Sequence, residues 1–149
     1  MGTVKSFRDL AVWNQGMDLA EKVYRLTARF PKEERFGLTA QARRAALSVP
    51  SNIAEGHARE STKEYLRGPS IAQASLAELQ TQLELAGRLQ YATQAELSPL
   101  LELATSFSRQ LYALRNALRR LPSEAKRGQM AATSVPNSQL PTLNPREQS

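Results

Sequence analysis

The sequence predicts an all-α protein, an antiparallel up-down-up-down bundle of four helices. Three observations carry that expectation. A chain of 149 residues is long enough for one domain with a closed core. Leucine, alanine, glutamine, arginine and glutamate dominate while glycines and aromatics are few, a balance that favours helix over sheet. Four segments space their apolar residues by threes and fours, the period of a helix with one buried face.

The first segment, FRDLAVWNQGMDLAEKVYRLTARFP, puts Leu10, Trp13, Met17, Ala20, Tyr24 and Thr27 on one stripe. Leu19, Val23, Leu26 and Phe30 form a second stripe beside it, and Pro31 with the charged KEERFG ends the helix. The second segment opens near Leu38 and Thr39 and runs through AQARRAALSVPSNIAEGHAR, with Leu38, Ala42, Ala45, Val49 and Ile53 on its apolar side. Its small residues admit a close neighbour. Pro50 has no amide hydrogen and its ring crowds the carbonyl of Ala46, so this helix must bend or offer that carbonyl another partner.

The third segment starts at Ser61, a cap with Glu64 three residues on, and extends to about Gln90 along a seam of Ala72, Leu76, Leu79, Leu83 and Ala86. Gly68 and Pro69 interrupt it, leaving either a separate turn over 61–67 or one kinked helix; Tyr65 and Leu66 continue the stripe and favour the kink. The fourth segment has the cleanest pattern: Leu97, Leu100, Ala104, Phe107, Leu111, Leu114, Leu118 and Leu121. Ser98 is its expected cap, with Pro99 in the first turn. Beyond Pro122 no apolar face repeats, so nothing there offsets an ordering cost of about 1 to 2 kcal/mol per residue. Residues 1–122 are therefore expected to form the bundle and 123–149 a disordered tail, or one docked loosely on a neighbouring subunit.

Counting excludes much chemistry. With no cysteine and the single histidine His57, thiolate catalysis, disulfides and thiolate or histidine-rich metal sites are ruled out or unsupported. No apolar run approaches the roughly 18 residues of a membrane span and the first residues carry no signal core, so a cytoplasmic protein without membrane contact is expected. His57 and Ser61 would share a helical face, but no orienting carboxylate or oxyanion hole accompanies them. Glu33 and Glu34 read as solvated charge in a turn, and no phosphate loop or dinucleotide turn is present. The expectation is a non-enzyme without a cofactor.

The formal charge of +6 favours polyanions as partners. Arg109, Arg115, Arg119 and Arg120 stand on the later part of the fourth helix, and Arg25, Arg29, Arg43 and Arg44 on the first two. Arg43, Arg44, Arg109, Arg115, Arg119 and Arg120 are the candidate contacts to RNA or DNA, although cations near a helix C-terminus also complement its dipole. A polar strip, Gln41, Arg44, Ser48, Asn52 and Glu55, runs along the second helix, and Ser75, Glu78 and Gln82 along the third. If these helices pack, Glu78 or Glu55 would meet Arg43 or Arg44 while Asn52 bonds main chain exposed by Pro50. Spacing alone favours the alternative, two solvated polar faces.

The blocks FRDLAVW, FPKEERFGLTAQARRAALSVPSNIAEGHAR and IAQASLAELQTQL resemble the 23S rRNA-intervening sequence proteins, a four-helix-bundle family related to the accessory variability determinant of diversity-generating retroelements. The resemblance covers about Phe7 to Leu121. It implies an antiparallel bundle assembled into a homopentamer around a central channel, with no known catalytic activity. It makes Pro50, Asn52, Glu55 and Gly56 a signature of the second helix, and places Gln41, Arg44, Ser75 and Glu78 at signature positions of a paired polar network. This chain departs from the pattern at RGPS, Arg67 to Ser70, where family members have bulky residues, and at Ala74, where they have glycine. The function expected is nucleic-acid binding through basic surfaces; the competing reading is a scaffold that holds another polypeptide.

Overall fold

The computed structural model describes residues 6–58 and 62–120. After a short 3-10 turn, Phe7–Asp9, come α1 (Ala11–Thr27), a second 3-10 turn (Lys32–Glu34), α2 (Leu38–Ala58), α3 (Thr62–Arg88) and α4 (Gln94–Arg119). Among the described residues there is no strand, and the fold is the predicted four-helix bundle. Side-chain pairs give its antiparallel order: Arg43 reaches Thr27 across α1 and α2, Ser48 meets Ser75 across α2 and α3, and Gln80 donates to Thr105 across α3 and α4. Arg29 pairs with Glu96 and closes α1 on α4. The expected tail, Leu121 and the Ser61 cap lie outside the described residues.

The core is built from the predicted seams of α2, α3 and α4. Leu76, Leu79, Leu83, Phe107 and Leu111 are fully buried, each such side chain contributing roughly 1.5 to 3 kcal/mol of apolar burial. On α1 the buried face is rotated from the expected first stripe. Met17 and Tyr24 are 41% and 40% exposed, while Val12, Gly16, Leu19, Val23 and Leu26 face inward. The cause is the contact made by Gly16: a Cβ there would sit 3.2 Å from the Pro50 ring, so α1 turns its glycine to the buried proline and carries Tyr24 outward.

The second proline is also absorbed without breaking its helix. Pro69 lies inside a continuous α3, so no separate turn forms over the described part of 61–67. Its missing amide frees the carbonyl of Tyr65. That oxygen lies 3.1 Å from where a Cβ of Gly56 would be, so the glycine lets α2 cover it. At the same crossing a Cβ on Gly68 would overlap the Asn52 carbonyl oxygen, and Gly56 and Gly68 meet backbone to backbone. The departure from bulky residues at RGPS thus has a local reason: nothing larger than glycine fits at position 68 while α2 remains where it is.

The ends depart from expectation in three places. α4 begins at Gln94, four residues before the expected cap at Ser98. Thr93 accepts the Glu96 amide at 3.2 Å and Glu96 returns a bond to the Thr93 amide at 2.9 Å, a capping box that outcompetes Ser98. Pro99 then lies inside the helix, where the carbonyl deprived of a donor belongs to exposed Ala95 and is free to bond water. α3 ends at Arg88, with Gln90 in the left-handed region at φ 64° and Tyr91 N donating to Ala86 O at 2.9 Å, the closure usually given to glycine.

Glu34 is the third departure. Rather than standing in solvent, its carboxylate accepts the Leu38 amide at 2.9 Å and so caps α2, and its other oxygen accepts the Tyr91 hydroxyl at 2.8 Å from the α3–α4 connection. The Leu38 amide first, then the Tyr91 hydroxyl, hold the Glu34 carboxyl below its ordinary value, and the same bond pushes the Tyr91 phenol up. At Glu96 the Thr93 amide and then Arg29 act in the same direction.

Two predictions follow from these contacts. Gly68→Ala lowers stability by about 2 to 3 kcal/mol in chemical unfolding, because the obstructing atom is main chain and cannot swing aside; an unchanged midpoint would remove the close crossing. A carboxyl depressed on folding stabilises above its unfolded pKa and loses that stabilisation as pH falls through the folded one. Glu34→Gln therefore lowers the melting temperature at neutral pH and flattens the loss of stability between about pH 5 and pH 3. An acid slope identical to the parent's would detach the charge from these bonds.

Candidate functional site

Among the described residues the predicted polar network comes together at its centre. Ser48 and Ser75 hydroxyls meet at 2.8 Å, and the Asn52 amide donates to Ser48 Oγ at 2.9 Å and to the Ser48 carbonyl at 2.8 Å. Asn52 does bond main chain, but at Ser48, two residues beyond the Ala46 carbonyl that Pro50 frees. Gln41 accepts a 3.3 Å bond from Arg44 on the surface, apart from that cluster. Glu55 and Glu78 are exposed.

Nor does Arg43 reach Glu78. It turns to α1, donating from Nε to Thr27 Oγ1 at 2.9 Å and from a terminal nitrogen to the Tyr24 carbonyl at 3.1 Å, with its guanidinium 4.7 Å from the Tyr24 ring centre. Thr27 and Tyr24 present oxygens and a π face to α2, which a sequence pattern does not reveal. The Ser48–Ser75–Asn52 cluster is a packing device between helices: a hydroxyl pair small enough to keep α2 and α3 close while satisfying both groups.

The six candidate arginines divide into three sets. Arg43 is committed to α1. Arg44 is exposed on α2, level with Thr105 by the register of the Ser48–Ser75 and Gln80–Thr105 bonds, whereas Arg119 lies roughly 20 Å further along the bundle. Arg44 therefore does not form one patch with Arg119 and Arg120 on this subunit. Arg109, Arg119 and Arg120 are exposed on α4 and have no ion pair among the described residues. Arg115 is half-buried and turned to α3, where a terminal nitrogen donates to Gln73 Oε1 at 2.6 Å.

Gln73, the acceptor of that bond, lines a groove of about 510 Å³ between α3 and α4. Gln73 Nε2 donates to the Ser108 carbonyl at 3.2 Å, so its amide is fixed from both ends. Arg109, Tyr112, Asn116 and Arg120 line the opening, one above another on the same side of α4. From Leu103 to Arg120 α4 carries four arginines and no acidic residue, and α3 has none from Arg67 to Ala77. A shallower groove of about 360 Å³ between α1 and α4 also has cations, but Arg25 is paired with Glu21 at 2.6 Å and Arg29 with Glu96. Lys22 is the one cation of that groove without an ion pair among the described residues, whereas neither Arg109 nor Arg120 of the α3–α4 groove has one.

Gln73, Ser108, Tyr112 and Asn116 were not anticipated. They lie between the positions of the leucine pattern, and only the register of α3 on α4 brings them together. Gln15 and Gln110 were also missed; Gln110 is 1% exposed, with neither amide atom bonded among the described residues, and both lie inside the bundle and line neither groove. His57 faces the buried Tyr65 hydroxyl at 3.2 Å, and Ser61 is outside the described residues. Among the described residues no group of three acidic, histidine or cysteine side chains could hold a metal, and no helix is long and apolar enough to cross a membrane.

Four antiparallel helices with a small-residue crossing of α2 on α3 and an arginine-lined α3–α4 groove define a helical-bundle protein. Within that class the chain belongs to the 23S rRNA-intervening sequence protein family, whose model matches residues 8–113. Its fold is similar to the crystal structure of a protein of unknown function from the S23 ribosomal protein family of Bacteroides thetaiotaomicron VPI-5482. The two share 22% identity with a TM-score of 0.67, covering 72% of this chain and 97% of the other. No curated protein matches the chain.

The two parts of the polar network separate in a stability measurement. Ser75→Ala costs about 1 kcal/mol because it strips a partner from a largely enclosed hydroxyl, whereas Glu78→Ala stays within about 0.5 kcal/mol of the parent. Equal losses in urea titrations would return Glu78 to the network.

Proposed function

We propose that this protein is a non-enzymatic, homo-oligomeric bundle of the cytoplasm that binds nucleic acid through the α4 side of the α3–α4 groove. The observation that carries the reading is the set of exposed, uncompensated arginines, Arg109, Arg119 and Arg120, at an acid-free helix end. Three such cations exceed what the helix dipole rewards, since that effect fades within the last turn and Arg109 lies three turns back. Arg115 and Gln73 act beneath the surface, holding α4 in register on α3.

Self-association is supported by large apolar side chains left uncovered on one subunit: Phe36 is 84% exposed, and Leu47, Leu85 and Leu89 are each nearly half exposed. A pentamer, the assembly implied by the resemblance, would repeat the arginine end five times and multiply its attraction for phosphate. A scaffold holding another polypeptide would use the same apolar residues but would leave the arginines without a task.

Salt dependence tests the reading. Phosphate contacts release counterions, so binding of a labelled RNA weakens steeply as salt rises. Arg119→Ala with Arg120→Ala lowers affinity and reduces the log–log salt slope by about two, with helicity unchanged in circular dichroism. Affinity and slope equal to the parent's would reject this surface, and binding insensitive to salt would favour the scaffold. Light scattering on the same samples gives the subunit number.

A further inference from the structure

The α3–α4 groove contains more than phosphate attraction requires. Tyr112 is 57% exposed at its mouth and makes no side-chain hydrogen bond or ring contact among the described residues. An aromatic ring left open beside exposed arginines is an unused stacking face. Arg109 stands three residues before it and Arg120 eight after, so the ring lies between two cations spaced about 16 Å apart along α4. Asn116, one turn beyond Tyr112, lines the same groove and its side-chain amide also makes no bond among the described residues.

From this arrangement we infer that the groove binds single-stranded nucleic acid, with one unpaired base stacked on Tyr112, its edge facing the Asn116 amide, and flanking phosphates on Arg109 and Arg120. The inference rests on the nucleic-acid reading and narrows it. A duplex encloses the faces of its bases within the stack and offers only groove edges and backbone, so it has no use for an open ring. A single strand presents base faces, and stacking on an aromatic side chain is tolerant of sequence because every base has a π face. The groove has the volume for such a flat ring, about 510 Å³. Gln73, which lines it, is held by Ser108 and Arg115 rather than turned into the space. The absence of acidic residues on the facing stretches of α3 and α4 leaves the strand's backbone unopposed.

Fluorescence anisotropy with labelled uridine and thymidine dodecamers, and with the thymidine strand annealed to its complement, tests the inference on the full chain. Tyr112→Ala weakens both single strands roughly tenfold or more and leaves the duplex unchanged, while Tyr112→Phe, which keeps the ring, binds like the parent. A uridine strand carrying 5-iodouridine crosslinks on irradiation to the tryptic peptide Gln110–Arg115. Loss of duplex and single-strand binding in equal measure, or no loss in Tyr112→Ala, overturns the stacking site. If the Arg119→Ala, Arg120→Ala protein is still impaired in that case, the broader nucleic-acid reading survives without it. If the parent binds none of the probes, both fall together. The substitution is at an exposed position, and circular dichroism of each variant confirms that the bundle is intact.

Discussion

The contact on which this bundle turns is a glycine against a carbonyl. Gly68 approaches the Asn52 oxygen so closely that no side chain can intervene, and Gly56 lies against the same stretch of α3. Two backbones at that distance gain dispersion contacts and weak Cα–H···O attraction in place of interdigitated side chains. Everything nearby is then sized to suit. Ala46, Ala72 and the Ser48–Ser75 pair continue the narrow interface, and Pro50 is pressed outward against Gly16 of α1. α4 joins with larger side chains, Phe107 and a line of leucines, and fills the space that the tight pair leaves.

How far this was legible in the sequence varies with the range of the interaction. The described seam residues of α2, α3 and α4 were all readable, because burial of one helical face imposes a local period. The α1 face was misjudged at Met17 and Tyr24, since a broad apolar surface does not say which edge of it points inward; the pairing of Gly16 with Pro50 decides that. The start of α4 was misplaced although Thr93 and Glu96 spell a capping box, because Ser98 followed by Pro99 is an equally familiar start and only the exposure of Ala95 makes the internal proline cheap. Glu34 and Tyr91 are 57 residues apart, and no local pattern announces their bond.

The candidate site shows the same division. Six arginines were identified by type and location, yet the side chains separate them: Arg43 and Arg115 are held within the bundle, while Arg109, Arg119 and Arg120 stand free of ion pairs among the described residues. Net charge says nothing of this sorting. What distinguishes the α3–α4 groove from the α1–α4 groove is the compensation of charge rather than its amount. In the latter, glutamates from α1 and from the start of α4 neutralise two of the cations.

Glu34 ties the connection between α1 and α2 to the one between α3 and α4, so the two loops at that end behave as one mechanical part. Amides on both should exchange with solvent together, in a single opening event rather than two. The same linkage bears on lineage: an insertion tolerated in a free loop would here strain the opposite loop as well, and chain-length variation at this end has to be accepted by both connections at once.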